Sequence, residues 1–242
     1  MKVAIVGCGK LGSALARALI GKHEVIAIRR NTSKIELECE KSSSVEDARG
    51  CDVVILTLKP DVFRRLTGEL KFRDEVVVSF MAGISLKELE VCGKKVAKAM
   101  TSLSAEFGSS FVTYCCRNLG EEDREKLLSV LKCFGKVMEV EEKIVDASIA
   151  FSSSVAFIAR LIGAASFAGV RLGIGSDVAK ALALSAFSDS IRLVERNGVE
   201  GVVERVATPA GATVEGLAKM MECKAEWCLQ EAIYVAGRKF LK

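Results

Sequence analysis

Lys2-Val3-Ala4-Ile5-Val6-Gly7-Cys8-Gly9-Lys10-Leu11-Gly12, running on into the helical pattern Ser13 to Ile20, decides the fold. An apolar strand enters a G-x-G-x-x-G turn that opens an amphipathic helix, which is a dinucleotide-binding fingerprint in its proper context. Each glycine has a separate task. Gly7 permits the tight turn, Gly9 lets the backbone approach a pyrophosphate, and Gly12 lets the helix pack closely on the strand. The helix start adds free N–H groups and a positive dipole end, so Gly7, Gly9, Lys10, Leu11 and Gly12 are the candidate phosphate-side residues.

Working outward, a second strand, Glu24-Val25-Ile26-Ala27-Ile28, ends about 20 residues past the glycines, where an NAD site carries an Asp or Glu for the ribose 2′-hydroxyl. This chain has Arg29, Arg30, Asn31, Thr32, Ser33 and Lys34 there. Guanidiniums with hydroxyl and amide donors suit a 2′-phosphate, so NADPH is the expected cofactor. The bland alternative is a solvated sheet edge.

The 242 residues suffice for one large or two modest domains, and half of them are apolar, which is globular. The net charge of +4 is spread along the chain with no Lys/Arg block, so a nucleic-acid arm is not expected. Nine cysteines contain no CxxC pair, and the sole histidine, His23, has no partner at ligand spacing. No metal site is therefore expected, and most of the thiols read as small core hydrophobes of a reducing cytosol. The chain opens directly on a strand that the fold needs, so no signal peptide is expected and a cytoplasmic location follows. The apolar stretch Ala147 to Val170 is interrupted by Arg160 and bounded by Asp146 and Arg171; it reads as a buried helix, with no membrane partner.

Strands and helices alternate in the first part. An extended piece near Glu36 to Cys39 is followed by a helix opening at Ser44-Val45-Glu46-Asp47, an apolar strand Asp52 to Leu58 and a helix Asp61 to Leu70. Strands Glu75 to Phe80, Lys95 to Met100, Phe111 to Cys115 and Lys136 to Val140 come next, with a charged helix Glu121 to Phe134 before the last. This is the pattern of a doubly wound (Rossmann) parallel sheet. Past Glu141-Glu142-Lys143 only helical periodicity remains: Ile144 to Val170, a helix capped by Ser176-Asp177 and stopped at Gly198, then Pro209 to Met221 and Cys223 to Phe240. The expected class is α/β, with a nucleotide-binding domain over 1–143 and an all-α dimerisation and substrate domain over 144–242. A helix that is apolar on more than one face needs a partner, which points to a homodimer or higher homo-oligomer.

No GxSxG, HExxH or Walker A pattern occurs, and hydride chemistry asks little of side chains. The best second site is Ala207-Thr208-Pro209-Ala210-Gly211-Ala212-Thr213. With Thr208 as N-cap and Pro209 as first helical residue, the N–H groups from Ala210 to Thr213 would form a carboxylate or phosphate site.

The order of Gly7-Cys8-Gly9-Lys10-Leu11-Gly12, Leu58-Lys59-Pro60, Val78-Ser79-Phe80-Met81-Ala82-Gly83-Ile84-Ser85 and Thr208-Pro209-Ala210-Gly211-Ala212-Thr213 resembles the pyrroline-5-carboxylate reductases. Their pattern has a GCGxMG loop, a VKP strand end, a SIAAG turn and an SPGGTT signature. The segments Phe134 to Val137 and Ala168 to Gly173 are also similar, and the resemblance spans essentially the whole chain. It implies NADPH-dependent reduction of the cyclic imine 1-pyrroline-5-carboxylate to L-proline in an intertwined dimer. It places Thr213 as proton donor or imine-orienting hydroxyl, and Thr208 with the N–H groups of Gly211 to Thr213 at the substrate carboxylate. Leu58, Lys59 and Pro60 fall on the cofactor side, as does Ser102, which stands where that family has an Asn. The chain departs from the pattern in three places. Met100-Thr101-Ser102 replaces Met-Pro-Asn, Ser152-Ser153-Ser154-Val155-Ala156-Phe157 replaces SGSGPAY, and alanines stand at 210 and 212.

Two other readings stay open. A β-hydroxyacid dehydrogenase shares the layout, but its catalytic lysine has no counterpart between Asp146 and Val170. A diverged NADPH-binding dimer acting as sensor or scaffold would also explain the altered pocket positions.

Overall fold

A computed structural model describes residues 1–240. The sheet half contains β1 Lys2–Val6, α1 Lys10–Leu19, β2 Glu24–Ile28, β3 Glu40–Ser42, β4 Val53–Leu56, α2 Pro60–Leu66, β5 Val76–Ser79 and α3 Leu86–Leu89. It continues with β6 Val96–Met100, β7 Ser110–Arg117, α4 Glu121–Leu131, β8 Gly135–Glu139 and α5 Glu142–Ala147. The helical half holds α6 Ile149–Arg171, α7 Ser176–Val206, α8 Ala212–Glu222 and α9 Ala225–Arg238. Contacts divide the chain between Ser152 and Ser153, and residues 236–240 belong with the sheet.

Eight strands form one sheet in the order β3-β2-β1-β4-β5-β6-β7-β8. β1 lies between β2 and β4, with Val6 paired to both Ile28 and Leu56, so three strands end level where the strand order reverses. That reversal is where ligands of doubly wound sheets bind. The central strands are buried on both faces, as parallel strands covered by helices must be. One apolar cluster (Ile5, Leu15, Leu127, Phe134) lies on one side of the sheet and a second (Val6, Phe63, Leu89, Val145) on the other.

The sheet is not parallel throughout, because β6 and β7 pair antiparallel. Their connection, residues 101–109, holds only a 3-10 segment, Leu103–Phe107, and a parallel return needs a longer crossover. Three smaller differences are local. Residues 36–39, expected as an extended piece, are loop, and the edge strand β3 follows them at Glu40–Ser42; Ile35 and Leu37 reach the core from that loop. Ser44 caps a 3-10 turn, Val45–Ala48, and not a helix. α2 ends at Leu66, just before Thr67-Gly68. The short α3 carries a full capping box between Ser85 and Glu88, a signal the sequence contains.

α5 is held to the sheet and to the start of α3 by polar contacts. Lys98 Nζ, 1% exposed, pairs with Asp146 at 2.5 Å, Thr113 and Ser148 hydroxyls meet at 2.7 Å, and Glu142 accepts the Leu86 N–H.

In the helical half, α6 is not a buried helix. Ala150 is its one buried residue, and Phe151 and Phe167 are 67% and 66% exposed. The span Glu142–Arg171 has the length and composition to cross a membrane. Its burial was expected from its apolar character, but a single chain supplies no surface to cover it. α7 breaks at Gly198, whose φ of 69° and ψ of 172° are non-helical, as the sequence stop signal indicates. The N-cap of α7 is Gly175 without a side-chain bond, so Ser176 and Asp177 sit in the first turn and do not cap it.

Candidate functional site

The glycine turn is built by backbone bonds to its neighbours. The N–H groups of Gly7 and Cys8 both donate to Ile28 O, and Thr57 Oγ1 donates to Gly7 O at 2.9 Å. Gly7 has φ +99°, and a Cβ there would lie 2.8 Å from Leu58 Cδ2, so both conformation and space demand glycine. At Gly12 a Cβ would lie 2.7 Å from Thr57 Oγ1 and 2.9 Å from Gly7 O, which is the close helix–strand packing the motif predicts. Gly9 differs: a Cβ would meet only Gly7 O, at 3.8 Å. The protein has room for a side chain at Gly9, so the need for glycine there comes from the ligand side. This open cradle at the start of α1 fits a pyrophosphate.

Beside it lies a cleft of about 670 Å³ bounded by Gly7, Arg29, Arg30, Leu58, Arg65 and Glu69. Arg29 Nη1 donates to Cys8 O at 3.1 Å and to Lys34 O at 3.3 Å, tying the glycine turn to the loop after β2. Asn31 Oδ1 accepts from Ser33 N and Oγ, shaping that loop. Lys59 and Pro60 open α2, with Lys59 as N-cap and Pro60 at the first turn. Ser102 lies at the end of β6 in a hydroxyl cluster, 3.1 Å from Ser110 Oγ and 2.6 Å from Ser104 Oγ, with buried Thr101 also on Ser110. Thr57 and Arg65 were not among the residues expected from sequence. Thr57 could have been found as the polar residue in the apolar run Asp52 to Leu58, just past the end of β4, whereas nothing in the α2 sequence marks Arg65.

Thr208, Gly211 and Thr213 lie in the helical half, and the local geometry differs from expectation. The N-cap of α8 is Gly211, without a side-chain bond, and Thr208 with Pro209 forms a preceding turn closed by Gly211 N–H to Thr208 O at 2.9 Å. The cause is Ala210, whose φ of 58° is left-handed and cannot continue a helix from Pro209. The outward N–H groups are therefore those of Ala212 and Thr213, because Gly211 N–H is already engaged.

Of the thiols, Cys8, Cys51, Cys92 and Cys115 are buried while Cys223 and Cys228 are exposed, so fewer are core residues than expected. Burial pushes Cys115 up to about 12 and Cys51 and Cys92 up to about 11, which leaves them protonated and unreactive. His23 Nε2 lies 3.6 Å from Cys133 Sγ, and burial followed by the positive N-terminus lowers its pKa.

A glycine turn at the strand-order reversal, with arginines around the adjoining cleft, defines a dinucleotide-binding protein of the doubly wound class. Comparison with known proteins narrows this. Residues 2–83 match the family described as NADP oxidoreductase, coenzyme F420-dependent, and residues 141–241 match pyrroline-5-carboxylate reductase dimerisation. The pyrroline-5-carboxylate reductase of Corynebacterium melassecola is 32% identical over 91% of this chain and 90% of its own length. That of Aquifex aeolicus is 29% identical over 100% and 97%. The structure of Plasmodium falciparum pyrroline carboxylate reductase with NADP bound superposes with a TM-score of 0.91 at 23% identity, covering 99% of this chain and 96% of that one, which supports the fold. The chain belongs to the pyrroline-5-carboxylate reductase family. Its helical half carries that family's dimerisation domain, which accounts for the exposed apolar face of α6.

Proposed function

We propose that this chain reduces 1-pyrroline-5-carboxylate to L-proline with NADPH, as a homodimer or higher homo-oligomer in the cytoplasm. In this reading residues 1–143 bind the cofactor, and residues 144–242 hold the substrate and the partner. The observation that carries it is the uncapped start of α8, set in a chain that also has the glycine turn and its arginine cleft.

When bound, NADPH supplies the hydride. The turn at Gly7, Gly9 and Gly12 and the first N–H groups of α1, at Lys10 and Leu11, hold the pyrophosphate. Arg29, Arg30 and Asn31 shape the end that receives the 2′-phosphate, and Leu58, Lys59, Pro60 and Ser102 line the cofactor's path. In the helical half, the N–H groups of Ala212 and Thr213 receive the substrate carboxylate, favoured by the helix dipole. The turn from Thr208 to Gly211 fixes the direction of that helix start. Thr213, in the first turn, sets its hydroxyl against the imine nitrogen and orients it; an imine that enters protonated keeps that proton on nitrogen when the hydride adds to carbon, so the product amine is formed without loss of a proton from Thr213. Orientation of two bound reactants supplies most of the rate, and a protonated imine is already electrophilic.

The test is NADPH oxidation by the purified protein with pyrroline-5-carboxylate, six-membered cyclic imines and keto acids. Turnover of the five-membered imine is expected. NADPH binding without turnover of any imine would overturn the reductase reading in favour of a nucleotide-sensing dimer, and a clear preference for NADH would overturn the cofactor reading.

A further inference from the structure

Three arginines border the cleft beside the glycine turn, and they are not equivalent. Arg29 is half-buried, and its Nη1 is spent on two backbone carbonyls, Cys8 O and Lys34 O. It is a strut between the turn and the loop after β2. Arg30 and Arg65 are exposed and line the same cleft. Among the described residues neither makes an ion pair. The next-door residue on α2 gives the contrast: Arg64 turns to the other face, where its Nε and Nη2 both donate to Glu88 Oε1. Adjacent positions on a helix point about 100° apart, so one arginine of the pair serves α3 and the other serves the cleft.

We propose that Arg65 is a specificity-determining residue that grips the 2′-phosphate of NADPH together with Arg30, while Arg29 acts as a positioning residue for the glycine turn. This rests on the NADPH reading above and deepens it. The charges match. Three guanidiniums and the carboxylate of Glu69 leave the cleft with two net positive charges, and a phosphate monoester carries about −1.5 to −2. The geometry of the side chain matches as well, since a guanidinium presents paired donors to phosphate oxygens. Arg30 approaches from the end of β2 and Arg65 from α2, so the phosphate is held between two elements. A nucleotide with a bare 2′-hydroxyl gains little from either.

The experiment is calorimetric titration of the full chain with NADPH, NADH, 2′,5′-ADP and AMP. Arg65→Gln is expected to weaken NADPH and 2′,5′-ADP by about ten- to a hundredfold, the span of one or two charge-assisted hydrogen bonds, and to leave NADH and AMP within about threefold. Arg64→Gln should leave the NADPH/NADH ratio unchanged, and Arg29→Gln should weaken NADPH and NADH alike. A wild-type preference for NADPH that survives Arg65→Gln overturns the role of Arg65 while leaving the cofactor reading standing. A wild-type protein that binds NADH as tightly as NADPH overturns both. Arg65 is an exposed residue of a short helix, so Arg65→Gln should fold, and Arg65→Lys, which keeps the charge but not the fork, should fall between the two.

Discussion

Replacing Gly9 with alanine separates folding from cofactor binding more cleanly than any other change in the turn. The added Cβ would have Gly7 O at 3.8 Å as its one neighbour, an ordinary contact, and Gly9 has an extended backbone (φ −94°, ψ −151°). Stability should therefore move by no more than about 0.5 kcal/mol, or rise slightly because alanine restricts the unfolded chain. The new methyl group projects into the space where a pyrophosphate must meet the first N–H groups of α1. Losing two charge-assisted N–H contacts to phosphate is worth about 3 kcal/mol or more, which weakens binding over a hundredfold. Gly12→Ala should do the reverse, because its Cβ would strike Thr57 Oγ1 at 2.7 Å and Gly7 O at 2.9 Å. Overpacking of that kind costs about 1 to 3 kcal/mol of stability. Thermal unfolding and NADPH titration of both variants form the assay. A Gly9→Ala protein that binds NADPH within about threefold of wild type would refute the placement of the pyrophosphate at this turn.

Other outcomes follow from the same geometry. Ala210→Gly relieves a left-handed alanine and should stabilise the helical half by about 0.5 to 1 kcal/mol, read as a higher midpoint in urea; an unchanged midpoint would mean the turn carries no strain. Thr213→Ala should lower kcat with 1-pyrroline-5-carboxylate by about a hundredfold or more while the NADPH Kd stays constant; equal loss of both would place Thr213 outside the reaction. Lys98→Met strands Asp146 beside a buried site and should cost about 3 kcal/mol, whereas Lys98→Met with Asp146→Leu should recover most of it. Glu75 is subject to a burial penalty that raises its pKa, but the N–H groups of Gly50, Arg73 and Asp74 outweigh it and hold the carboxyl below 4.5. A lowered folded pKa contributes stability above the unfolded value that disappears as pH falls through the folded one. The stability gap between wild type and Glu75→Gln should therefore be widest at neutral pH and close in acid below that value; a gap that persists in acid would show the ionised carboxylate is not its source.

What the sequence discloses depends on whether the deciding interaction is local. β1, the glycine turn and β2 are legible because strand, turn and helix start are contiguous and each glycine has its own steric reason. The edge strand β3 is not, since Ile35 and Leu37 imitate a strand while their burial comes from reaching over the sheet in a loop. The antiparallel β7 follows from the length of residues 101–109, a topological fact that apolar periodicity does not report. In the second site, Thr208-Pro209 has the composition of a helix start, yet the left-handed Ala210 moves the start to Ala212. A residue's φ sign is set by the closed turn around it. Arg65 lay beyond sequence reasoning because its role is set by which face of α2 looks into the cleft.

The bareness of α6 makes stability a collective property. Among the described residues, α6 fully buries only Ala150 within its own chain and leaves most of its apolar surface to be covered by a partner. Association would cover that surface and add to the stability of each copy, so the melting temperature is expected to rise with protein concentration. If Phe151 and Phe167, exposed in the single chain, lie in that interface, a substitution at either acts in trans, on the neighbouring copy as much as on the chain that bears it.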